Sequence, residues 1–148
     1  MTFAHTLETR APKKIWQRWT EVETWHEWDT EIKQASLQDN FKLGARGSLV
    51  PKTGPRSSFT VTELTPQKRY TFVTNLPLCK LHVKRYLSED GGTFTHEVRF
   101  TGLLAPLFGR LLGERFQKVL PEVMENLRER AEPKSIMSAA RSGGDSYE

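Results

Sequence analysis

Four histidines, one cysteine, Tyr70 and Arg85 carry most of the chemistry this sequence offers. His5, His26, His82 and His96 each belong to the side-chain type that exchanges a proton near neutral pH. His96 and His5 are the acid/base candidates, because both fall on the apolar side of an alternating segment. Arg85 and Tyr70, on that same side, are suited to stabilising an enolate oxygen such as an aldol-type cyclisation forms. His82 alternates away from His96, which argues against a multi-histidine metal site, and no metal is expected. Cys79 stands alone, which excludes an internal disulfide and a multi-cysteine zinc site. With no activating motif beside it, it reads as a small apolar filler. The sequence has no Gly-x-Ser-x-Gly elbow, phosphate-cradling glycine loop, dinucleotide fingerprint or His-Glu-x-x-His pair, so no cofactor is expected.

The elements that position these residues follow from periodicity. From Thr2 to Arg10 the letters alternate, predicting a strand with Phe3, His5 and Leu7 on one face. Pro12 opens a helix that ends near Thr20, and a second short helix runs from Glu21 to about Glu27. The spacing of three in Trp16/Trp19 and in Trp25/Trp28 sets each pair on one helical face. Six short segments rich in β-branched and aromatic residues follow: Ile32–Leu37, Arg46–Pro51, Ser57–Leu64, Arg69–Thr74, Lys80–Leu87 and Thr93–Thr101. Their connections are too short for parallel crossovers, so an antiparallel meander is expected. Leu107–Arg130 is the longest helical stretch, with Phe108, Leu111, Leu112, Phe116, Val119, Leu120, Val123 and Leu127 on one side and a bend expected at Pro121. At 1.5 Å per residue it spans roughly 36 Å, more than the about 29 Å of seven strands, so it is long enough to cross the sheet.

Alternation then says what faces the helix. Phe59 and Val61, Tyr70 and Phe72, Leu81, Val83, Arg85 and Leu87, and Phe94, His96, Val98 and Phe100 point inward, while Thr95, Glu97 and Arg99 face water. The expected site is an apolar pocket between sheet and helix. Its walls are Phe59, Val61, Phe72, Val98, Phe100, Phe108 and Leu112, and its polar anchors are His5, Tyr70, Arg85 and His96. Alternatives stand beside this. An inward histidine pairs with a neighbour more often than it catalyses, and Arg85 is also able to emerge at the rim with its stem on apolar surface. Gly109 and Gly113 on one margin of the helix either leave room beside the sheet or mark a close contact. The tryptophans close the core or form a patch for a partner.

The order β-α-α-β×6-α, with particular residues, resembles the START-like or Bet v 1-like superfamily, in particular the SRPBCC polyketide cyclase/dehydrase-type proteins. The matching pieces are Arg10-Ala11-Pro12 with Ile15-Trp16, Trp25-His26-Glu27-Trp28-Asp29 with Ile32, and Glu63-Leu64-Thr65-Pro66. Further along they are Gly91 to Val98 with Phe100-Thr101-Gly102, Leu104-Ala105-Pro106-Leu107, and Leu120-Pro121. One departure is Arg85, where related sequences often have histidine. The resemblance implies an α+β helix-grip fold: a curved seven-stranded antiparallel sheet wrapped around a long C-terminal helix, enclosing a cavity for an apolar or amphipathic small molecule.

Composition sets the outer bounds. The chain has 148 residues, 36% hydrophobic and 27% charged, with a formal net charge of +4. That is enough for one core, so a single domain over residues 1–131 and a flexible tail over 132–148 are expected. The basic residues are scattered without the clustered stripe of a nucleic-acid site, and no apolar run is long enough for stable membrane insertion. A reduced, cytoplasmic, monomeric or homodimeric protein is expected. Binding, transport or sensing of a small hydrophobic ligand is the first functional reading. A cyclase or dehydratase using the same cavity, or a protein-interaction module, are the alternatives.

Overall fold

Two-residue and other tight turns reverse the chain wherever glycine, proline and asparagine cluster, and every strand between them pairs antiparallel with its neighbour. The computed structural model describes residues 2–132. In chain order they form β1 (Thr2–Glu8), α1 (Pro12–Thr20), a 3-10 helix (Val22–Glu27), β2 (Ile32–Leu37), β3 (Arg46–Pro51), β4 (Ser57–Thr65), β5 (Arg69–Leu76), β6 (Cys79–Leu87), β7 (Thr93–Thr101) and α2 (Ala105–Ala131). The tail expected beyond residue 132 lies outside the described residues.

The sheet order is β1-β7-β6-β5-β4-β3-β2, so the meander β2 to β7 is closed at one edge by β1. Register shifts between Ile32 and Gln34, and between Val61 and Glu63, are bulges of the kind that bend a sheet and deepen its twist. This is the expected helix-grip arrangement, an antiparallel sheet with a long terminal helix and two short helices between its first two strands.

Local chemistry explains the helices. Pro12 sits in the first turn of α1, where its missing N–H is no loss, and Ala11 O receives the N–H groups of Lys14 and Ile15. Ile15, Trp16 and Trp19 make the buried face of α1, and Val22 and Trp25 that of the 3-10 helix. Helix α2 continues through Pro121 to Ala131. It packs against β1, β6, β7 and α1, whereas the 3-10 helix packs against β2. The long helix therefore grips one half of the sheet while the tryptophan-bearing segment helps cover the other.

Two expectations about facing change, and one open alternative is decided. Thr95, read as solvent-facing, is buried on the outer side of the sheet, where its hydroxyl lies 2.7 Å from that of Thr6 across the β1–β7 pair. Leu111, read as part of the packed stripe of α2, is exposed, because it lies on the side of the helix opposite Gly109 and Gly113, which are the residues buried against the sheet. Gly113 leaves no room beside the sheet: a side chain there would run into the Phe3 ring, so the close contact is what the glycine serves.

Candidate functional site

The strand registers place the four polar anchors in a single row. Tyr70 on β5 stands opposite Arg85 on β6, Arg85 opposite His96 on β7, and His96 opposite His5 on β1. All four project from the face that receives the helices. Tyr70, Arg85 and His96 are buried, and His5, on the edge strand, is half-buried. Arg85, at 4% exposure, does not emerge at the rim.

A hydrogen-bond chain ties this row to α1. Arg85 Nη1 donates to the Tyr70 hydroxyl at 2.5 Å, and that hydroxyl donates to the Trp19 carbonyl at 3.4 Å. The same carbonyl accepts Trp25 Nε1 at 3.0 Å, and Trp19 Nε1 donates to His96 Nε2 at 3.0 Å. The guanidinium carbon of Arg85 lies 4.7 Å from the Trp25 ring, 5.0 Å from Trp28, 5.4 Å from Phe72 and 5.8 Å from Tyr70. An aromatic cage of this kind offsets part of the cost of burying the cation. Two donors in the cage remain over. Arg85 Nε and Trp28 Nε1 are both buried, and neither reaches an acceptor among the described residues. Buried polar groups of native proteins are nearly always paired, so two neighbouring orphans mark this spot.

Electrostatics follow from the burial. His96 is held well below the usual 6.5 of an imidazole, first by desolvation and then by the charges of Arg85 and His5. Burial raises the Tyr70 hydroxyl above its ordinary value, against the pull of Arg85. Burial also raises the carboxyl of Asp29, again against Arg85. Among the described residues Asp29 feels Arg85 without forming an ion pair with it, and its Oδ1 accepts the Glu31 N–H at 3.0 Å. The Cys79 thiol is raised by burial too, in keeping with an inert packing role.

The expected walls divide into two clusters. Phe59, Val61, Tyr70 and Phe72 pack with Trp16, Trp19, Trp25 and Trp28 and with Val123, Met124 and Leu127 from the second half of α2. Val98 and Phe100 pack with Cys79 and Leu120, with Phe3, Phe108 and Leu112 partly buried against them. The indoles occupy space that a ligand was expected to fill: Trp25 stacks 5.5 Å from Phe59 and 5.3 Å from Phe72. A cleft of about 850 Å³ opens elsewhere, between α1 and the β4–β5 and β6–β7 turns, with Pro12, Trp16, Thr20, Arg69, Leu87 and Asp90 among its lining. None of the expected wall residues lines it, yet Trp16 joins it to the interior, since its ring meets Tyr70 edge-on at 6.1 Å.

Sequence reasoning left Trp19, Trp28 and Asp29 out of the site. The available signal was Trp25-His26-Glu27-Trp28-Asp29 itself, in which two indoles and an acid sit beside a segment that must fold back on the sheet. His26 and His82 stay out of the row, and His82 Nε2 lies 2.8 Å from Thr101 Oγ1.

A family model described as "Polyketide cyclase / dehydrase and lipid transport" matches residues 4–132. Among solved structures, the chain is similar to protein NE0264 from Nitrosomonas europaea (17% identity, TM-score 0.67, covering 92% of this chain and 97% of that one). It is also similar to the di-domain ARO/CYC StfQ of the steffimycin biosynthetic pathway (13%, 0.68, 90% and 51%). A third is the hypothetical protein jhp0584 from Helicobacter pylori (10%, 0.68, 88% and 86%). At these identities the likeness is one of fold. No curated protein matches the sequence significantly.

Proposed function

Because the chain belongs to the polyketide cyclase/dehydrase and lipid transport family, we propose that it binds a small hydrophobic or amphipathic molecule between the sheet and α2, with a carbonyl or carboxylate oxygen of that molecule received by Arg85 and Trp28. The observation that carries this reading is the pair of buried donors, Arg85 Nε and Trp28 Nε1, left without an acceptor inside an aromatic cage. Each unpaired donor costs on the order of 1–3 kcal/mol, a cost that a ligand acceptor reaching it removes. Apolar walls with a few converging polar groups are the usual make-up of such a site. The cleft beside α1 is the mouth in this reading, and Trp16 is the side chain that yields on entry.

Binding is favoured over turnover by the state of His96. Its Nε2 already accepts the Trp19 indole, and burial keeps the ring neutral, so it has no free lone pair there to act as a base. Native mass spectrometry of protein purified without denaturant, together with tryptophan fluorescence during titration with palmitate, tests the proposal. A bound small acid or ketone, or saturable quenching, is expected in the native chain and absent from Arg85→Met. A bare chain whose indole emission ignores the fatty acid overturns it.

A further inference from the structure

One end of the molecule exposes four leucines. Leu78 is 66% exposed, Leu103 77%, Leu107 48% and Leu111 64%. They lie together at this end: the Leu104 N–H donates to the Leu78 carbonyl at 2.9 Å, which holds the β5–β6 turn against the start of α2, Leu103 stands in the turn just before the helix, and Leu107 and Leu111 follow on α2 at a spacing of four. Leu78 is doubly unusual. It occupies the second position of the Pro77-Leu78 turn with a φ of 52°, where glycine or asparagine is the ordinary occupant. A large apolar side chain in a strained backbone position, pointed at water, gains nothing within the folded chain.

We propose that this end is a docking surface for an anionic lipid bilayer. The charge around the leucines identifies the occupant. Residues 76–82 and 98–113, which build the tip, contain Lys80, Arg99 and Arg110 and no aspartate or glutamate, and the acids that flank them are Glu97 and Glu114. Lys80 and Arg99 project from the outer face of the sheet, where His82 between them is held below its usual 6.5 by burial and then by their two charges. Arg110 is exposed on α2. Leucines between cations suit a membrane interface, where apolar side chains enter the acyl boundary and Lys and Arg meet acidic headgroups. A second copy of the chain fits worse, because a two-fold contact through this tip sets the three cations of each copy against those of the other. Among the described residues no helix is long and apolar enough to cross a membrane, so the contact is peripheral.

Sedimentation of the full chain with vesicles of phosphatidylcholine alone, or with about a third phosphatidylglycerol, tests this surface whatever the interior site holds. The native chain is expected to sediment with the anionic vesicles and to be released by salt. The pair Leu107→Asp/Leu111→Asp and the pair Lys80→Glu/Arg110→Glu are each expected to weaken partitioning on the order of tenfold or more. Leu43→Asp, a change at an exposed leucine in the β2–β3 connection, is expected to leave it alone. Leu78→Gly guards against a folding artefact, since it relieves the turn and is expected to lower vesicle binding while raising thermal stability. Equal partitioning of the native and leucine-substituted chains overturns the proposal. So does a native chain that ignores anionic vesicles, or one that forms a dimer broken by the same leucine substitutions without binding lipid.

Discussion

The indole of Trp19 donates to Nε2 of His96 at 3.0 Å, joining α1 to β7 across 77 positions of sequence. That bond fixes the tautomer: with Nε2 accepting, the single ring proton sits on Nδ1. It also sets what acid does to the protein, because protonating Nε2 turns the acceptor into a donor and places a charge beside Arg85.

The first prediction concerns pH. The folded state takes up the His96 proton only well below 6.5, whereas the unfolded chain takes it up near 6.5. In that window the unfolded state binds more protons, so stability falls as pH drops, by at most about 1.4 kcal/mol per pH unit for one group. His82, also lowered, acts in the same direction. Asp29 opposes it between its raised folded value and 3.8, since a raised carboxyl pKa favours the folded state as pH falls. The urea midpoint is expected to be lower at pH 5.5 than at pH 7.5, and His96→Gln, which keeps an acceptor for Trp19, is expected to flatten the difference. A native chain equally stable at both values contradicts the assignment.

Tyr70→Phe removes the hydroxyl that accepts Arg85 Nη1. The guanidinium already has one buried donor unpaired, so losing the Tyr70 acceptor leaves a second donor of a charged group unpaired and is expected to cost about 1.5–3 kcal/mol. Urea denaturation reads this directly. A loss below about 0.5 kcal/mol means that Arg85 finds a replacement acceptor, and the cage is then less closed than these contacts indicate.

How much of this the residues announce depends on the distance over which they act. Strand alternation put Tyr70, Arg85, His96 and His5 on one face, and short turns forced antiparallel pairing, because both are local rules. That the four stand in one row follows from exact hairpin registers, which a shift of one residue would have undone. The filling of the site was not legible. Alternation says that Phe59 and Phe72 face inward, but not that Trp25 will lie on both, since that depends on how the 3-10 helix folds back on the sheet. Helical periodicity likewise gave Leu111 an apolar neighbourhood without saying that the helix would turn Gly109 and Gly113, and not Leu111, to the sheet.

Gly113 tests the grip itself. Alanine is the better helix former by about 1 kcal/mol, yet a Cβ at this position collides with the Phe3 ring. Overpacking of this kind costs typically 1–3 kcal/mol, so Gly113→Ala is expected to destabilise on balance. Phe3→Leu shortens the obstructing side chain. The double variant is therefore expected to lose less than the sum of the two single changes, a coupling that a double-mutant cycle measures. Strict additivity places the helix farther from β1 than the contact implies.

Arg85→Met separates stability from binding. The cation is 4% exposed, has Tyr70 as its hydrogen-bond partner, and keeps one donor unpaired. Replacing buried charged groups by well-packed apolar residues of similar size is often neutral, or stabilising by about 1–4 kcal/mol. Methionine fills the Trp25–Trp28–Phe72 cage with a flexible side chain of comparable length. The variant is expected to unfold at the same or higher urea concentration while losing palmitate quenching. A residue kept at a cost to the fold is one retained for what it holds. Were the variant clearly less stable and still able to bind, Arg85 would be a structural strut and the interior site would have to lie elsewhere.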